Sequence, residues 1–212
     1  ELNKRFFTFH RKNRPYIILK WAESADGFIS PKNKTEQKPV WISNEYSRQL
    51  VHKWRSEEQA ILVGTQTIID DNPSLTVRDW VGKNPIRVVI DKENAIDLSS
   101  NVFDNKAKTI VFSNKEVTSN SDKIQTITID FDTNSTQEIV EKIYNNNIQS
   151  IIIEGGRKTL QSFIDANFWD EARVFIGEIN LKEGTKAPKL NRKIHSKVVL
   201  KNDTLLLYRN DD

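Results

Sequence analysis

The chain has 212 residues, with 32 lysines and arginines against 29 aspartates and glutamates and a formal net charge of +3. Because cysteine is absent and the three histidines are scattered, disulfides, thiolate nucleophiles and cysteine-ligated zinc are excluded and no metal site is indicated. No run approaches the roughly 20 apolar residues that span a bilayer, and the charges are interleaved, so we expect a soluble, cytoplasmic protein that binds neither membrane nor nucleic acid.

The N-terminal segment, ELNKRFFTFHRKNRPY, lacks the apolar centre and the small-residue cleavage site of a signal peptide. The chain begins with glutamate and contains no methionine, so we expect it to be a piece of a longer or processed protein. Its length suits one domain that can bury a core without disulfide or metal support.

Short runs rich in isoleucine and valine recur along the chain and predict strands. They lack the in-and-out alternation of a half-buried strand, which indicates burial on both faces. In chain order the runs are YIILKWA, AILVG, IRVVID, KTIVFS, IQTITID, SIIIEGG, EARVFIG and TLLLYR.

Three helices are predicted between these strands. The first runs from its N-cap, Ser43, to about Glu58. The second begins at a capping box formed by Ser135 and Glu138, and the third follows Gly156. Their apolar faces are, in the same order, Tyr46, Leu50, Val51 and Trp54; Ile139, Val140, Ile143 and Tyr144; and Leu160, Phe163 and Ile164.

Strands that alternate with helices predict an α/β fold with a mostly parallel sheet, right-handed crossovers and helices on both faces. The last segments, EARVFIG and KVVLKNDTLLLYR, have no helix between them, so we expect an antiparallel edge at the C-terminus. The polar stretch NKEVTSNSDK predicts a surface loop. In such sheets ligands bind beyond the carboxyl ends of the strands, so the residues that follow each run are the candidates for a site.

Two strand ends carry chemically informative residues. Lys20 lies inside an apolar run, so its ammonium group must either reach solvent or face a polar cavity. Glu154, Gly155 and Gly156 stand between a strand and a helix N-terminus, where two glycines serve either as a plain turn or as a close approach for a phosphate. The spacing is not G-x-G-x-x-G, so a nicotinamide cofactor would require a fold other than the Rossmann fold.

The first predicted helix and the strand after it add further candidates. Arg48, His52 and Arg55 share one face of the helix, and a solvated face is the default interpretation of such a stripe. In VGTQTIIDDNPSLTVR one helical turn is followed by an Asn-Pro break, which leaves Asp71 and Arg78 on irregular backbone at a strand end. An Asx turn for Asp71 and a surface ion pair for Arg78 fit the sequence as well as an active site does.

Taken together, RPYIILKWAESADGFI, WIS, HKWRSEEQAILVGTQTIIDDNPSLTVR, PIRVVID and IIIEGGRKTLQSF…DEARVF resemble, in this order, the reductase domain of the bifunctional riboflavin-biosynthesis deaminase/reductase. The most specific block is R-x(11)-T-x(3)-D-N-P-S-L-T-x-R, from Arg55 to Arg78. The resemblance implies a dihydrofolate-reductase-like, three-layer fold. It also implies that residues 1–14 are a connector from a missing N-terminal deaminase domain and that residues 15–212 form the reductase domain.

The resemblance further implies the chemistry. The family uses NADPH to reduce the ribosyl group of 5-amino-6-(5-phosphoribosylamino)uracil to a ribityl chain, and a homodimer is expected. Two alternatives stay open: a reductase of the same fold that acts on 2,5-diamino-6-ribosylamino-pyrimidinone or on dihydrofolate, and a non-catalytic binding domain.

The family's site residues fall on definite positions of this chain. Its substrate contacts correspond to Arg55, Leu75, Arg78 and Glu154. Its cofactor contacts correspond to Ala22, Trp41, Thr67, Asp71, Gly155, Gly156, Arg157, Lys158, Thr159 and Leu160. A position that often carries a substrate-contacting serine is occupied here by Pro39, which has no side-chain donor.

Chemical roles can be assigned to some of these residues. The planar guanidinium groups of Arg55 and Arg78 suit the substrate's phosphate. Asp71 and Glu154 are the candidate catalytic carboxylates, with Asp71 orienting the nicotinamide or relaying a proton and Glu154 hydrogen-bonding the substrate. Lys20 is a candidate donor to the pyrimidine carbonyl that deamination creates. Lys92, just after a strand end, is a candidate for the 2′-phosphate of the cofactor.

Overall fold

The computed structural model describes residues 3–34, 36–116 and 121–210. Within these ranges the helices are α1 (Lys4–Lys12), α2 (Glu45–Glu57), α3 (Thr65–Asp71), α4 (Ser135–Asn145) and α5 (Arg157–Asp165). The strands are β1 (Tyr16–Glu23), β2 (Phe28–Pro31), β3 (Ala60–Gly64), β4 (Ile86–Ile90), β5 (Thr109–Ser113), β6 (Ile124–Thr128), β7 (Ser150–Gly155), β8 (Glu171–Ile176), β9 (Gly184–Lys186), β10 (Ser196–Leu200) and β11 (Asp203–Arg209). No helix in the described part of the chain is long and apolar enough to cross a membrane.

One nine-stranded sheet organises the molecule, in the order β10-β11-β8-β1-β7-β3-β4-β5-β6. The pairs from β8 through β1, β7, β3, β4 and β5 to β6 are parallel, whereas β11 pairs antiparallel with both β8 and β10. The mostly parallel sheet and its antiparallel C-terminal edge are therefore confirmed. A small second sheet, in which β2 pairs with β9, was not predicted because neither strand has an apolar run.

Helices cover both faces of the large sheet and make three layers. On one face α4 and α5 bury residues such as Ile143 and Phe163 against the central strands. On the other face α2 buries Val51 and Trp54 against Ile18 and its neighbours, and α3 covers the adjoining strands. The prediction of a three-layer fold is thus confirmed. A strand residue can be assigned to one face of the sheet or the other by the helix that it contacts.

The start of α2 was predicted one residue too early. Its N-cap is Asn44, whose side chain accepts the Ser47 N–H at 3.0 Å, and not Ser43. The carboxylate of Asp203 on β11 also accepts the Asn44 N–H at 2.8 Å, so a contact from a distant strand fixes this residue at the cap. Tyr46, expected on the apolar side, is 52% exposed, and the Lys201 ammonium lies 5.3 Å from its ring centroid.

The capping box predicted for α4 is wrong as well. Asn134 is the N-cap, without a side-chain cap bond, and Ser135 is already inside the helix. The carboxylate of Glu138 instead accepts the Asp130 N–H at 3.1 Å, which ties the helix to the end of the preceding strand. Part of the predicted surface loop at 114–123 lies outside the described residues, at 117–120.

The N-terminal segment forms the helix α1 and contacts the domain through buried ion pairs. Arg5 donates through Nε to Glu58 at 2.6 Å, and the Glu58 side chain has no exposed surface. Lys4 donates to Glu171 at 2.6 Å, and Arg14, just after the helix, pairs with Asp170 at 2.6 Å. This segment therefore packs against β8 and the end of α2.

Candidate active site

Strand alternation brings Lys20 and Glu154 to the same face of the sheet. The parallel neighbours β1 and β7 align Ile18 with Ile152, and both isoleucines contact the α2 side of the sheet. Lys20 and Glu154 lie two residues further along these strands, so their side chains point to the same layer at the carboxyl edge. Arg55 lies four residues after the buried Val51 on α2, the helix that covers this face, and its side chain reaches the same edge of the sheet.

These three side chains form a buried charged cluster. Arg55 donates to Glu154 through Nε at 2.8 Å and through Nη2 at 2.7 Å, which is a bidentate pair. Lys20 Nζ lies 3.6 Å from Oε2 of the same carboxylate. The side chains of Arg55, Glu154 and Lys20 are only 11%, 8% and 15% exposed. The solvated face that is the default interpretation of the α2 stripe is therefore wrong for Arg55.

Burial and the neighbouring charges shift the pKa values of Glu154 and Lys20. Burial on its own would raise the pKa of Glu154, but the charges of Arg55 and Lys20 outweigh it and lower the pKa to about 2. Burial lowers the pKa of Lys20, and Glu154 restores it only in part. Glu154 is therefore ionised at neutral pH and serves as a hydrogen-bond acceptor.

The chain segment after Leu75 is fixed by side chains of the same region. Arg55 donates through Nη1 to the Thr76 carbonyl at 3.3 Å, and the Arg78 N–H donates to Nδ1 of His52 at 3.1 Å. Leu75 is only 2% exposed and its side chain packs in the core under α3, so the residue offers mainly its backbone to a ligand. The side chain of Arg78 is exposed, and no ion pair or hydrogen bond engages it among the described residues. The surface ion pair considered for Arg78 is not formed there.

Asp71 ends α3 and forms an ion pair with Lys34 from the loop after β2. The two side chains are 26% and 17% exposed. The same loop is held against α3 by Gln37, whose amide donates to the Ile69 carbonyl at 2.8 Å. The Asp71 carboxylate is thus fixed by a cation and does not make the Asx turn that the sequence allowed.

Two glycines form the turn between β7 and α5. Gly155 has a φ of +136°, a region that side chains disfavour, and Gly156 is the N-cap of α5 without a side-chain cap bond. A Cβ added at Gly156 would lie 3.4 Å from Oγ1 of Thr67, at the start of α3. A Cβ added at Gly64 would lie 2.6 Å from Oγ1 of Thr159, so only glycine lets the first turn of α5 approach β3 this closely.

Gly155 and Gly156 together with Thr67 and Thr159, which we call the glycine cradle, offer donors of the kind that bind phosphate groups. Free N–H groups and the positive end of a helix dipole attract phosphate oxygens, and the hydroxyls of Thr67 and Thr159 add donors. Arg157 and Lys158 are exposed on the same turn, whereas the Leu160 side chain is fully buried in the core. Of the predicted residues of this turn, Leu160 can therefore contribute only its backbone.

The remaining predicted cofactor residues lie on other elements. Trp41 is 55% exposed and the guanidinium of Arg48 lies 4.3 Å from its ring centroid. Ala22 lies two residues beyond Lys20 on β1 and is partly buried. Lys92 is half-exposed after β4, and its ammonium donates to Asp132 at 3.0 Å.

His52 and Lys34 have site contacts that the sequence did not predict. His52 belongs to the α2 stripe, three residues before Arg55, and this spacing was a usable signal. Its side chain is buried, and burial together with the charges of Arg55 and Arg78 lowers its pKa to about 4, against the opposing effect of Asp79. Lys34 lies in an irregular loop, and no periodicity marks it.

Solved structures with this architecture define the class of the domain. A deaminase/5-amino-6-(5-phosphoribosylamino)uracil reductase from Thermotoga maritima superposes with a TM-score of 0.86 and 27% identity, covering 97% of this chain and 59% of that chain. The riboflavin biosynthesis reductase Rib7 of Saccharomyces cerevisiae, at 19% identity, shares the fold with a TM-score of 0.74 over 99% of both chains. The domain therefore has the three-layer α/β fold of the riboflavin-pathway reductases.

Sequence comparison identifies the family. The sequence profile of the RibD C-terminal domain matches residues 15–188, and the chain belongs to this family. A riboflavin biosynthesis protein RibD of Aquifex aeolicus is 35% identical over 87% of this chain and 52% of its own length. A RibD protein of Bacillus amyloliquefaciens is 36% identical over 90% of this chain and 52% of its own length. The chain thus spans about half the length of these curated relatives.

Proposed function

We propose that this chain reduces the ribosyl group of 5-amino-6-(5-phosphoribosylamino)uracil to the ribitylamino product with NADPH as the reductant. The observation that carries the proposal is the buried Arg55–Glu154–Lys20 cluster at the carboxyl edge of the sheet, in which Glu154 stands two residues before Gly156 of the glycine cradle. A hydride transfer needs a charged, oriented substrate beside a dinucleotide, and these two features supply the two halves of such a site.

Arg78 is the proposed principal contact of the substrate phosphate. Its exposed guanidinium can bind an oxyanion with two hydrogen bonds. In Arg55, by contrast, Nε and Nη2 already donate to Glu154. Arg55 adds positive charge nearby and holds the Thr76 carbonyl, two residues before Arg78. The phosphate assignment made for both arginines therefore falls mainly on Arg78.

Glu154 and Lys20 are proposed to bind the pyrimidine and the sugar. Because Glu154 is ionised, it accepts hydrogen bonds from substrate N–H or O–H groups and does not act as the proton donor. The Lys20 ammonium donates to a pyrimidine carbonyl, a group present in the deaminated substrate. This pair orients C1′ of the substrate toward the cofactor side of the site.

The chemical step requires an electrophilic C1′. When the ribosylamine opens, the amine N–H proton is lost, a C1′=N bond forms, the C1′–O4′ bond breaks and O4′ gains a proton. In the reduction C1′ would gain a hydride, which NADPH would supply when bound, and the nitrogen would gain a proton. Asp71 is the proposed group that orients the nicotinamide or relays one of these protons.

Several residues are proposed to hold the cofactor. The cradle of Gly155, Gly156, Thr67 and Thr159 would bind its diphosphate, and Lys92 would contact its 2′-phosphate. Trp41, which is 55% exposed and stacked by Arg48, is the proposed aromatic contact of the cofactor.

A second candidate substrate is the pyrimidinone before deamination. A 2,5-diamino-6-ribosylamino-4(3H)-pyrimidinone 5′-phosphate reductase of Archaeoglobus fulgidus is 28% identical over 78% of this chain and 81% of its own length. Lys20 favours the deaminated substrate, because an ammonium group is a donor and cannot accept from an amino group.

Steady-state assays with the purified chain test the proposal. We expect NADPH consumption with the phosphoribosylamino-uracil and a lower kcat/KM with the diamino-pyrimidinone or with dihydrofolate. A reversed preference would support the second candidate. Absence of NADPH binding in a fluorescence titration would support a non-catalytic domain instead.

The partners are proposals of the same kind. We expect a deaminase domain to precede residue 15 in the full-length protein and the reductase domain to form a homodimer. Sedimentation velocity of the purified chain at several concentrations tests the dimer, and a concentration-independent monomer would contradict it.

A further inference from the structure

The Arg78 guanidinium depends on its own backbone for its position. The side chain has no hydrogen bond or ion pair within the part of the chain that the structure describes, so no such bond of its own orients it. The backbone before it is held at three consecutive residues. Thr76 O accepts from Arg55, Val77 N donates to Asn84, and Arg78 N donates to His52.

The chain after Arg78 is also closely packed on α2. A Cβ added at Gly82 would overlap the side chain of Ser56, so this turn lies directly on the helix. Lys53 places its ammonium 5.7 Å from the ring centroid of Trp80. The segment from Thr76 to Gly82 is therefore docked along α2, and His52 is the α2 residue that contacts the Arg78 backbone.

His52 is present in the form that can accept this hydrogen bond. The side chain is buried, and the surrounding groups are the cations Arg55 and Arg78 and the carboxylates of Asp79 and Glu154. The imidazole is neutral near pH 7 because its pKa is about 4. Its Nε2 lies 3.4 Å from a carboxylate oxygen of Asp79, which favours the proton on Nε2 and leaves Nδ1 free to accept.

We propose that His52 is a positioning residue for the reductase, which holds the Arg78 backbone through Nδ1 so that the guanidinium faces the phosphate of the substrate. This inference rests on the proposed function of Arg78 as the phosphate contact. His52 itself touches neither substrate nor cofactor, so it acts only through Arg78.

Two substitutions separate this role from a general structural one. His52→Leu keeps the size and burial of the side chain but removes the acceptor. His52→Asn places an amide oxygen at the position of Nδ1 and restores the acceptor. Thermal unfolding of both variants shows whether each is folded, and only folded variants are compared in the assays.

The readout is the KM for the phosphorylated substrate against the KM for its dephosphorylated analogue. Because hydrogen bonds that orient charged groups have sizeable effects, we expect His52→Leu to raise the first KM about tenfold and to leave kcat and the second KM within about twofold. His52→Asn should return the first KM to within about threefold of the wild-type value. In an Arg78→Ala background His52→Leu should add nothing.

The outcomes are distinguishable. Equal effects on both substrates, or effects of His52→Leu and Arg78→Ala that multiply, would overturn the positioning role while leaving the reductase function intact. If the wild-type chain shows no turnover, the proposed function fails, and binding of ribose 5-phosphate is measured in the same variants. Weaker binding in His52→Leu with recovery in His52→Asn then supports the positioning role, and equal or absent binding in all variants contradicts it.

Discussion

Arg55 and Glu154 form a bidentate ion pair at the carboxyl edge of the sheet, with N–O distances of 2.8 and 2.7 Å and side chains that are 11% and 8% exposed. The pair joins α2 to β7, and its two residues are 99 positions apart in the chain. Because Lys20 lies 3.6 Å from the same carboxylate, two buried cations share one anion. Glu154 therefore controls both the charge and the stability of the site.

We expect Glu154→Gln to lower kcat/KM by about 100-fold, since the substrate loses an ionised acceptor. The same substitution should reduce the free energy of unfolding by about 3 kcal/mol, because Arg55 and Lys20 remain buried without a counter-charge. Urea unfolding and steady-state kinetics measure the two effects. Glu57→Gln, an exposed carboxylate on α2, is the matched control and should change neither. A Glu154→Gln protein with wild-type kinetics would remove Glu154 from the site.

Asp71 is held by Lys34, and the two residues can be tested separately. Asp71→Asn should lower kcat at least about tenfold if the carboxylate orients the nicotinamide or relays a proton. Lys34→Ala leaves that carboxylate in place, so it should lower kcat less than Asp71→Asn and mainly change the KM for NADPH. Near-normal turnover and NADPH affinity of Asp71→Asn would show that Asp71 has no catalytic role.

Gly64 tests the glycine cradle, because a Cβ at this residue would lie 2.6 Å from Oγ1 of Thr159. The φ of Gly64 is −91°, so alanine fits the backbone and the main consequence is displacement of the Thr159 hydroxyl. We expect Gly64→Ala to raise the Kd for NADPH about tenfold, measured by cofactor fluorescence. In a Thr159→Ala background the same substitution should have almost no further effect, and a full additional loss would argue against the Thr159 contact.

The lowered pKa of the buried His52 should make the free energy of unfolding depend on pH. The pKa of His52 falls from 6.5 to about 4 on folding, so between these values the unfolded chain binds more protons than the folded protein. Well above pH 6.5 the imidazole is neutral in both the folded and the unfolded chain, so its titration does not change the free energy of unfolding. As pH is lowered from 6.5 toward 4, the unfolded chain takes up a proton first and the free energy of unfolding falls. The loss reaches at most about 3 kcal/mol.

Urea unfolding across this range measures the effect, with His52→Asn as the reference because asparagine does not titrate. The wild-type chain should lose more stability than the variant between neutral pH and the lower end of the range. Parallel pH profiles for the two proteins would contradict a depressed pKa for His52.

The N-terminal helix is expected to contribute to the stability of the reductase domain. Arg5→Ala leaves Glu58 buried without its partner and should reduce the free energy of unfolding by about 3 kcal/mol. Lys12→Ala changes an exposed cation on the same helix and serves as the control, with an expected effect within about 0.5 kcal/mol. Equal, small effects of both substitutions would support the simpler view that residues 1–14 are only a connector.

The strands were predictable because each buried strand is a continuous apolar run, and the order of runs and helices implied a parallel sheet. All eight runs are strands, and the helix after Gly156 begins where the sequence placed it. The helix N-termini near Ser43 and Ser135 were less predictable, because in each case an asparagine stands beside the serine and can occupy the N-cap instead. At α2 the deciding contact is the carboxylate of Asp203, more than 150 residues away.

The site shows the same division. The sequence by itself determined which residue types stand at the strand ends, since Lys20, Asp71, Arg78 and Glu154 each follow or interrupt an apolar run. Only the tertiary structure decided that Arg55 pairs with Glu154 while the Arg78 side chain has no hydrogen bond or ion pair among the described residues. It also decided that Asp71 is paired with Lys34 and that His52 is buried and neutral. These are properties of groups far apart in the chain, because ion pairing and desolvation depend on distances that close only when the sheet and its helices assemble.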